Sequence, residues 1–284
     1  MNVGLVLSGG GARCFSHIGG LEALEEHGIK VSAIAGSSSG AIIGALYASG
    51  LDADTIHTIV KTINYGDFWR TGVKGGLISH DGLAELVSVH APKNFEDLKI
   101  PLAVTTVDIQ TGELIILQRG PLTPAACASN AFPGLFAPIK YLDRYLMDGG
   151  ILNNFPVDII RTMTTDPVIA FDATVSDKRK LDFEGEEDKP NFIERMSNTF
   201  KGERLYTPLL LDVLVKAYTI TQTRLINLRN TMHPPDYVVK PNLPDNLGIE
   251  SFGRLEEAYQ LGYEATEEML KHLPLQQPQV EGEG

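Results

Sequence analysis

The residues best placed to do chemistry lie in three glycine-rich turns. Residues 36–40, Gly36-Ser37-Ser38-Ser39-Gly40, fit Gly-x-Ser-x-Gly. In that pattern a strained strand-to-helix turn holds the central hydroxyl, here Ser38, clear of the backbone, and the flanking glycines make the turn possible. A chain with this glycine and serine content yields about 0.1 chance matches, so the pattern carries weight but does not stand alone. The plainer alternative is a serine that caps a helix after a tight turn.

Acyl transfer by a serine needs donors for the negative oxygen of a tetrahedral intermediate and a base for the hydroxyl proton. Gly9-Gly10-Gly11 ends one apolar run and opens the next helical stretch. Free backbone N–H groups meet the positive end of a helix dipole there, and glycine lets an oxyanion come close. The amide of Ser39 adds a donor, as the residue after the serine does in such turns. Arg13 either orients the loop and balances charge or lies on the surface. A dinucleotide-binding reading of the same loop fails on two counts: Cys14 stands where the third Gly or Ala belongs, and no acidic residue ends the second strand.

For the base, the serine–acid–histidine order would require His233 or His272. His233 precedes two prolines and His272 lies near the end of the last helical stretch, so both read as surface residues. His17, His27, His57, His80 and His90 have no partner pattern. Asp148 in Asp148-Gly149-Gly150 follows a short strand at the same sheet edge, although such a turn is common. An aspartate with a pKa of about 3.9 is a weak base, but desolvation in an apolar cleft raises it and a direct hydrogen bond guides the proton.

These turns need a scaffold that brings them together. Apolar runs at 3–7 and 31–35 read as buried strands, each followed by a glycine turn and a helix, 14–27 and 41–48. This βαβα opening implies a parallel sheet covered on both faces, with ligands beyond the carboxyl ends of its strands. Helices are expected at 53–63 and 81–90, with a glycine-rich loop at 66–76 between them. A hairpin of strands follows at 102–107 and 114–117, then a helix at 121–130, a strand near 145–147, a helix from Pro156 and a buried strand at 167–173. Residues 177–190 carry ten charges in fourteen positions and read as a solvated linker. Residues 191–232 are helical in pattern, and their apolar stretch at 209–215 reads as core packing or as a lid or membrane-touching face. A strand at 237–240 and a helix at 255–270 close the chain, and 274–284 is a polar tail.

Composition bounds the partners. The 284 residues are 43% hydrophobic and 21% charged, ordinary for a globular chain. A net charge of −12 disfavours nucleic acid as the main partner. The two cysteines, Cys14 and Cys127, form neither a disulfide framework nor a metal spacing. With no signal-peptide pattern at 1–8 and no apolar stretch long enough to span a bilayer, a cytoplasmic protein is expected.

Together, Gly9-Gly10-Gly11-Ala12-Arg13, Gly36-Ser37-Ser38-Ser39-Gly40 and Asp148-Gly149-Gly150 resemble the three signatures of the patatin-like phospholipases, in order and spacing. Ala128-Ser129-Asn130-Ala131-Phe132-Pro133-Gly134, Phe136-Ala137-Pro138 and Asn154-Phe155-Pro156 extend the likeness, which covers residues 3 to about 175 well. Beyond 190 it rests on helical character and the final strand and helix. The resemblance implies an α/β fold, a three-layer α/β/α sandwich with a mostly parallel central sheet. It implies one patatin-like domain over 1–284: core 1–175, linker 177–190, helical excursion 191–232, closing strand and helix 236–273, tail 274–284.

The resemblance also implies hydrolysis of lipid acyl esters, of phospholipase A or lysophospholipase type, through an acyl-enzyme. Ser38 is then the nucleophile, Asp148 the proton acceptor, and the Gly10 and Gly11 amides the oxyanion hole with Arg13 supporting it; no cofactor or metal is implied. Two departures are Cys14, where glycine is common, and Ser39, where a larger residue often follows the serine. Acyl transfer to an acceptor other than water and non-catalytic lipid sensing use the same pocket and stand as alternatives. The implied partners are a phospholipid, a lysophospholipid or another acyl ester, with transient membrane-surface contact through apolar residues such as those at 209–215.

Overall fold

The computed structural model describes residues 1–65, 78–175 and 208–273, with the side chains of 208–211 outside that description. The expected glycine-rich loop at 66–76, the charged linker at 177–190, the start of the helical excursion and the polar tail therefore lie outside the described residues.

A strand buried on both faces reads as an unbroken apolar run. β1 (Asn2–Leu7) does so, with Val3, Leu5, Val6 and Leu7 all at 0% exposure. It lies between β2 (Lys30–Ser37) and β7 (Val168–Phe171), parallel to both, and β8 (Tyr237–Val239) extends the sheet beyond β7. On the other side β2 pairs in parallel with β3 (Leu102–Asp108). β4 (Leu114–Leu117) and β6 (Arg144–Asp148) pair antiparallel with β3, and β5 (Ile139–Tyr141) pairs with β6. The sequence reading missed β5, a three-residue strand that turns back through Leu142 at φ 54°.

Successive β-strand side chains point to opposite faces, and the helices divide accordingly. Val3, Leu5 and Leu7 pack in a large core with α1 (Phe15–Glu26), α2 (Ser39–Ala48), α3 (Ala53–Thr62), α5 (Leu122–Ser129) and α8 (Leu255–Leu270). α4 (Asp81–His90) joins it through Val87. Val6 points the other way, into a smaller core with α6 (Val157–Met163) and Ile226 of α7 (Pro208–Met232). The result is the expected α/β/α sandwich around a mostly parallel sheet. No helix among the described residues is long and apolar enough to cross a membrane.

α1 has both glycine turns at its N-terminal side, so its seating matters for the site. It packs so closely on α8 that a Cβ at Gly262 would overlap the Ser16 carbonyl, and one at Gly19 would overlap the Tyr259 carbonyl. Both obstacles are backbone and cannot rotate aside. Gly262→Ala is therefore expected to cost about 1–3 kcal/mol, read as a lower urea midpoint at unchanged slope. An unchanged midpoint would mean that the two helices are not in this close register.

Candidate active site

The site is made by two strand ends that meet along β3. β2 pairs with residues 102–105 of β3 and β6 with 106–108, whereas β4 pairs with 104–107. A residue has one partner on each edge, so β4 takes one edge and β2 and β6 share the other, end to end. Ser37 lies opposite Thr105 and Asp148 opposite Thr106. The residue after β2 and the last residue of β6 thus come together, although 110 positions separate them in the chain.

Ser38 has φ 51°, a left-handed value that L-residues rarely adopt, as the strained turn requires. Gly36 and Gly40 make that turn possible, because a Cβ at Gly36 would sit 2.8 Å from Cα of Ala41 and one at Gly40 would overlap the carbonyls of Leu7 and Ser8. The Ser38 amide donates to Ser129 Oγ at 2.9 Å, and its hydroxyl donates to Asp148 Oδ2 at 2.7 Å. Asp148 is 1% exposed. Burial raises its pKa to about 6, and hydrogen bonds from Ser38, the Gly150 amide and Tyr218 hold it from rising further. Such a carboxylate is mostly ionised at neutral pH and close enough to accept the serine proton.

The first glycine turn lies against the second. A Cβ at Gly9 would come 2.7 Å from Cβ of Ser38, so glycine lets the two turns touch. Asn154 clamps Gly9 from below, its Oδ1 accepting from the Gly9 amide and its Nδ2 donating to the Gly9 carbonyl, each at 3.2 Å. Among the described residues the amides of Gly10 and Gly11 have no acceptor, and both glycines line the cleft beside Ser38. Arg13 is buried behind the loop. Its Nε donates to the Ala173 carbonyl at 3.0 Å and its Nη1 to the Leu247 carbonyl at 2.7 Å, so it braces the turn and does not line the cleft. Cys14 is buried with Sγ 3.3 Å from the Ser8 carbonyl, and burial pushes its thiol well above the ordinary range.

From these polar groups a cleft of about 150 Å³ runs along α2. Ile42, Ile43 and Leu46 of α2, Val60 of α3 and Leu86 of α4 form its apolar wall, and Ser39 lies at its polar end. No histidine among the described residues lines it. His233 and His272 are exposed, and His17 is buried with Nε2 2.9 Å from the Ser8 carbonyl.

A further wall comes from α7, where the sequence reading named no site residue. Tyr218 donates to Asp148 Oδ1 at 3.3 Å, and Gln222 donates to the Gly150 carbonyl at 3.2 Å. Gly150 admits them, since a Cβ there would lie 2.5 Å from both side-chain tips, while one at Gly149 would overlap Thr105. Only the spacing of four between Tyr218 and Gln222 hinted that they share a face. Within the apolar stretch at 209–215, Val215 lines the cleft, whereas Val213 and Leu214 are exposed.

The family model described as patatin-like phospholipase matches residues 5–161. The chain belongs to the patatin-like phospholipase family. It is 35% identical over 173 residues to an uncharacterized NTE family protein of Mycobacterium tuberculosis, covering 59% of this chain and 48% of that one. It is 28% identical to lysophospholipase NTE1 of Lodderomyces elongisporus, over 92% of this chain but 18% of that protein. It therefore spans less than half the length of these curated relatives. Among solved structures, VipD of Legionella pneumophila shares the fold at a TM-score of 0.58 and 15% identity, covering 95% of this chain and 67% of that one.

The raised pKa of Asp148 has a measurable cost. The unfolded value is about 3.9, so the folded state holds this proton more tightly, and stability is lost as pH rises from about 4 through about 6. A rise of about two pH units corresponds to about 3 kcal/mol. At pH 8 Asp148→Asn should unfold at higher urea than the wild type, with the gap narrowing towards pH 4. A gap that does not depend on pH would show that Asp148 titrates normally.

Proposed function

We propose that the chain is a lipid acyl hydrolase of the phospholipase A or lysophospholipase type that works through a Ser38–Asp148 dyad. The observation that carries this reading is the 2.7 Å hydrogen bond from Ser38 Oγ to Asp148 Oδ2 at the polar end of an apolar cleft. A long acyl chain fits the wall of Ile42, Leu46 and Val60, with its ester carbonyl at Ser38. Relatives whose names include phospholipase and lysophospholipase support the substrate class.

In the first half-reaction Ser38 Oγ attacks the ester carbonyl carbon as its proton passes to Asp148 Oδ2. The Gly10 and Gly11 amides, with that of Ser39, receive the oxyanion. Collapse breaks the bond to the alkoxy oxygen, which leaves with the proton from Asp148 as the lysophospholipid, or as the glycerophosphodiester when a lysophospholipid is the substrate. In the second half, water gives a proton to Asp148 and attacks the acyl-enzyme. The fatty acid departs, Ser38 regains its proton, and Asp148 is again a carboxylate. A carboxylate with a pKa of about 6 suits this cycle, being ionised at neutral pH yet more basic than an exposed aspartate.

The test is fatty-acid release from mixed phospholipid and lysophospholipid micelles. The wild type should release fatty acid, and Ser38→Ala and Asp148→Asn, each checked for folding, should lose about 100-fold or more. Full release by either variant would overturn the dyad.

A further inference from the structure

We propose that Tyr218 is a positioning residue for Asp148, its hydroxyl tying one carboxylate oxygen so that the other is presented to Ser38. This rests on the dyad reading above and adds to it a third side chain, delivered by a helix that lies far along the chain from both members.

The geometry divides the carboxylate in two. Among the described residues Oδ2 accepts only from Ser38, at 2.7 Å, while Oδ1 accepts from the Gly150 amide at 2.8 Å and from Tyr218 at 3.3 Å. Turning the carboxylate would break all three bonds. The Gly150 amide belongs to the turn that carries Asp148 and moves with it, whereas Tyr218 refers the carboxylate to a separate helix.

That helix is itself anchored to the segment following Asp148. Gln222, one turn beyond Tyr218, donates to the Gly150 carbonyl at 3.2 Å. Further along the same face Ile226 is buried in the smaller core, and Arg229 Nη1 donates to Asp158 Oδ2 at 2.7 Å. The Tyr218 ring meets Phe132 edge-on with centroids 4.7 Å apart. Its hydroxyl therefore has a fixed origin, which a donor needs if it is to hold an acceptor in place.

Tyr218 also stays a donor. Burial and the nearby Asp148 raise its pKa well above 10, so it remains protonated wherever Asp148 titrates. A hydrogen bond to the ionised form favours that form, so Tyr218 works against the burial that raises Asp148. Among the described residues, the other titratable groups facing this region are Cys14, a neutral thiol on the turn before α1, and, in the cleft wall, Glu250 and Tyr65, a phenol that burial keeps protonated. β3 presents Thr105 and Thr106, and the end of α5 presents Ser129 and Asn130, none of them charged.

The experiment reads the carboxyl directly, by NMR of protein labelled with ¹³C at aspartate carboxyls, with Asp148→Asn identifying the resonance. In Tyr218→Phe, which keeps the ring on Phe132, the Asp148 midpoint should rise by about half to one pH unit. The acid limb of kcat/KM for a lysophospholipid should rise with it. Gln222→Met, the second variant, and Phe132→Leu, which keeps the hydroxyl but loosens its ring, should each move the midpoint the same way by less. An unmoved midpoint in Tyr218→Phe, or an equal rise in Phe132→Leu, would overturn the assignment. The NMR midpoint needs no turnover. Absence of Ser38-dependent ester hydrolysis would therefore sink the hydrolase reading while the midpoint still decided the role of Tyr218.

Discussion

Everything in the site depends on two strands ending against neighbouring residues of a third. Because β2 stops opposite Thr105 and β6 opposite Thr106, the residue that leaves one strand and the residue that ends the other are forced into contact. A shift of either strand by one position would turn its side chains to the opposite face. The register is pinned by burial, since residues 3–7 of β1 and all of β3 are buried and the two cores grip opposite sides of the sheet. Glycines then remove the remaining obstacles at the points where backbone meets backbone.

The same arrangement sets the electrostatics. Burying Asp148 beneath the turn works against its charge, and the hydrogen bonds it accepts offset that cost only partly. The balance leaves a carboxylate charged at neutral pH and basic enough to share a proton with Ser38. Arg13 is committed to carbonyls behind the glycine turn and does not line the cleft. α7 completes the enclosure, its inner face carrying polar groups to the site and its outer face exposing Val213, Leu214 and Ile220.

Much of this was legible in the sequence, for physical reasons. The glycine turns, the apolar strands between them and the helix periods are local, and local chemistry is what a sequence displays. The three turns could be assigned to one sheet edge because parallel βαβ units leave their ligand side there. The contacts that cross between elements were not legible. Asn154 and Ser129 stood within segments that match the family, yet nothing in their spacing said that one clamps Gly9 and the other receives the Ser38 amide. Tyr218 was hidden further, because its helix reads first as core packing, and only second as a lid or membrane face, until its partners are known. β5 was missed because three residues are too few to show a period.

The central claim is that Ser38 is a nucleophile activated by a buried aspartate. It is tested most directly by exposing the protein to a long-chain alkyl fluorophosphonate and locating the adduct by peptide mass. The account predicts one adduct, on Ser38, absent from Ser38→Ala and formed far more slowly by Asp148→Asn. An unlabelled Ser38, or labelling at the same rate without the Asp148 carboxylate, would contradict it.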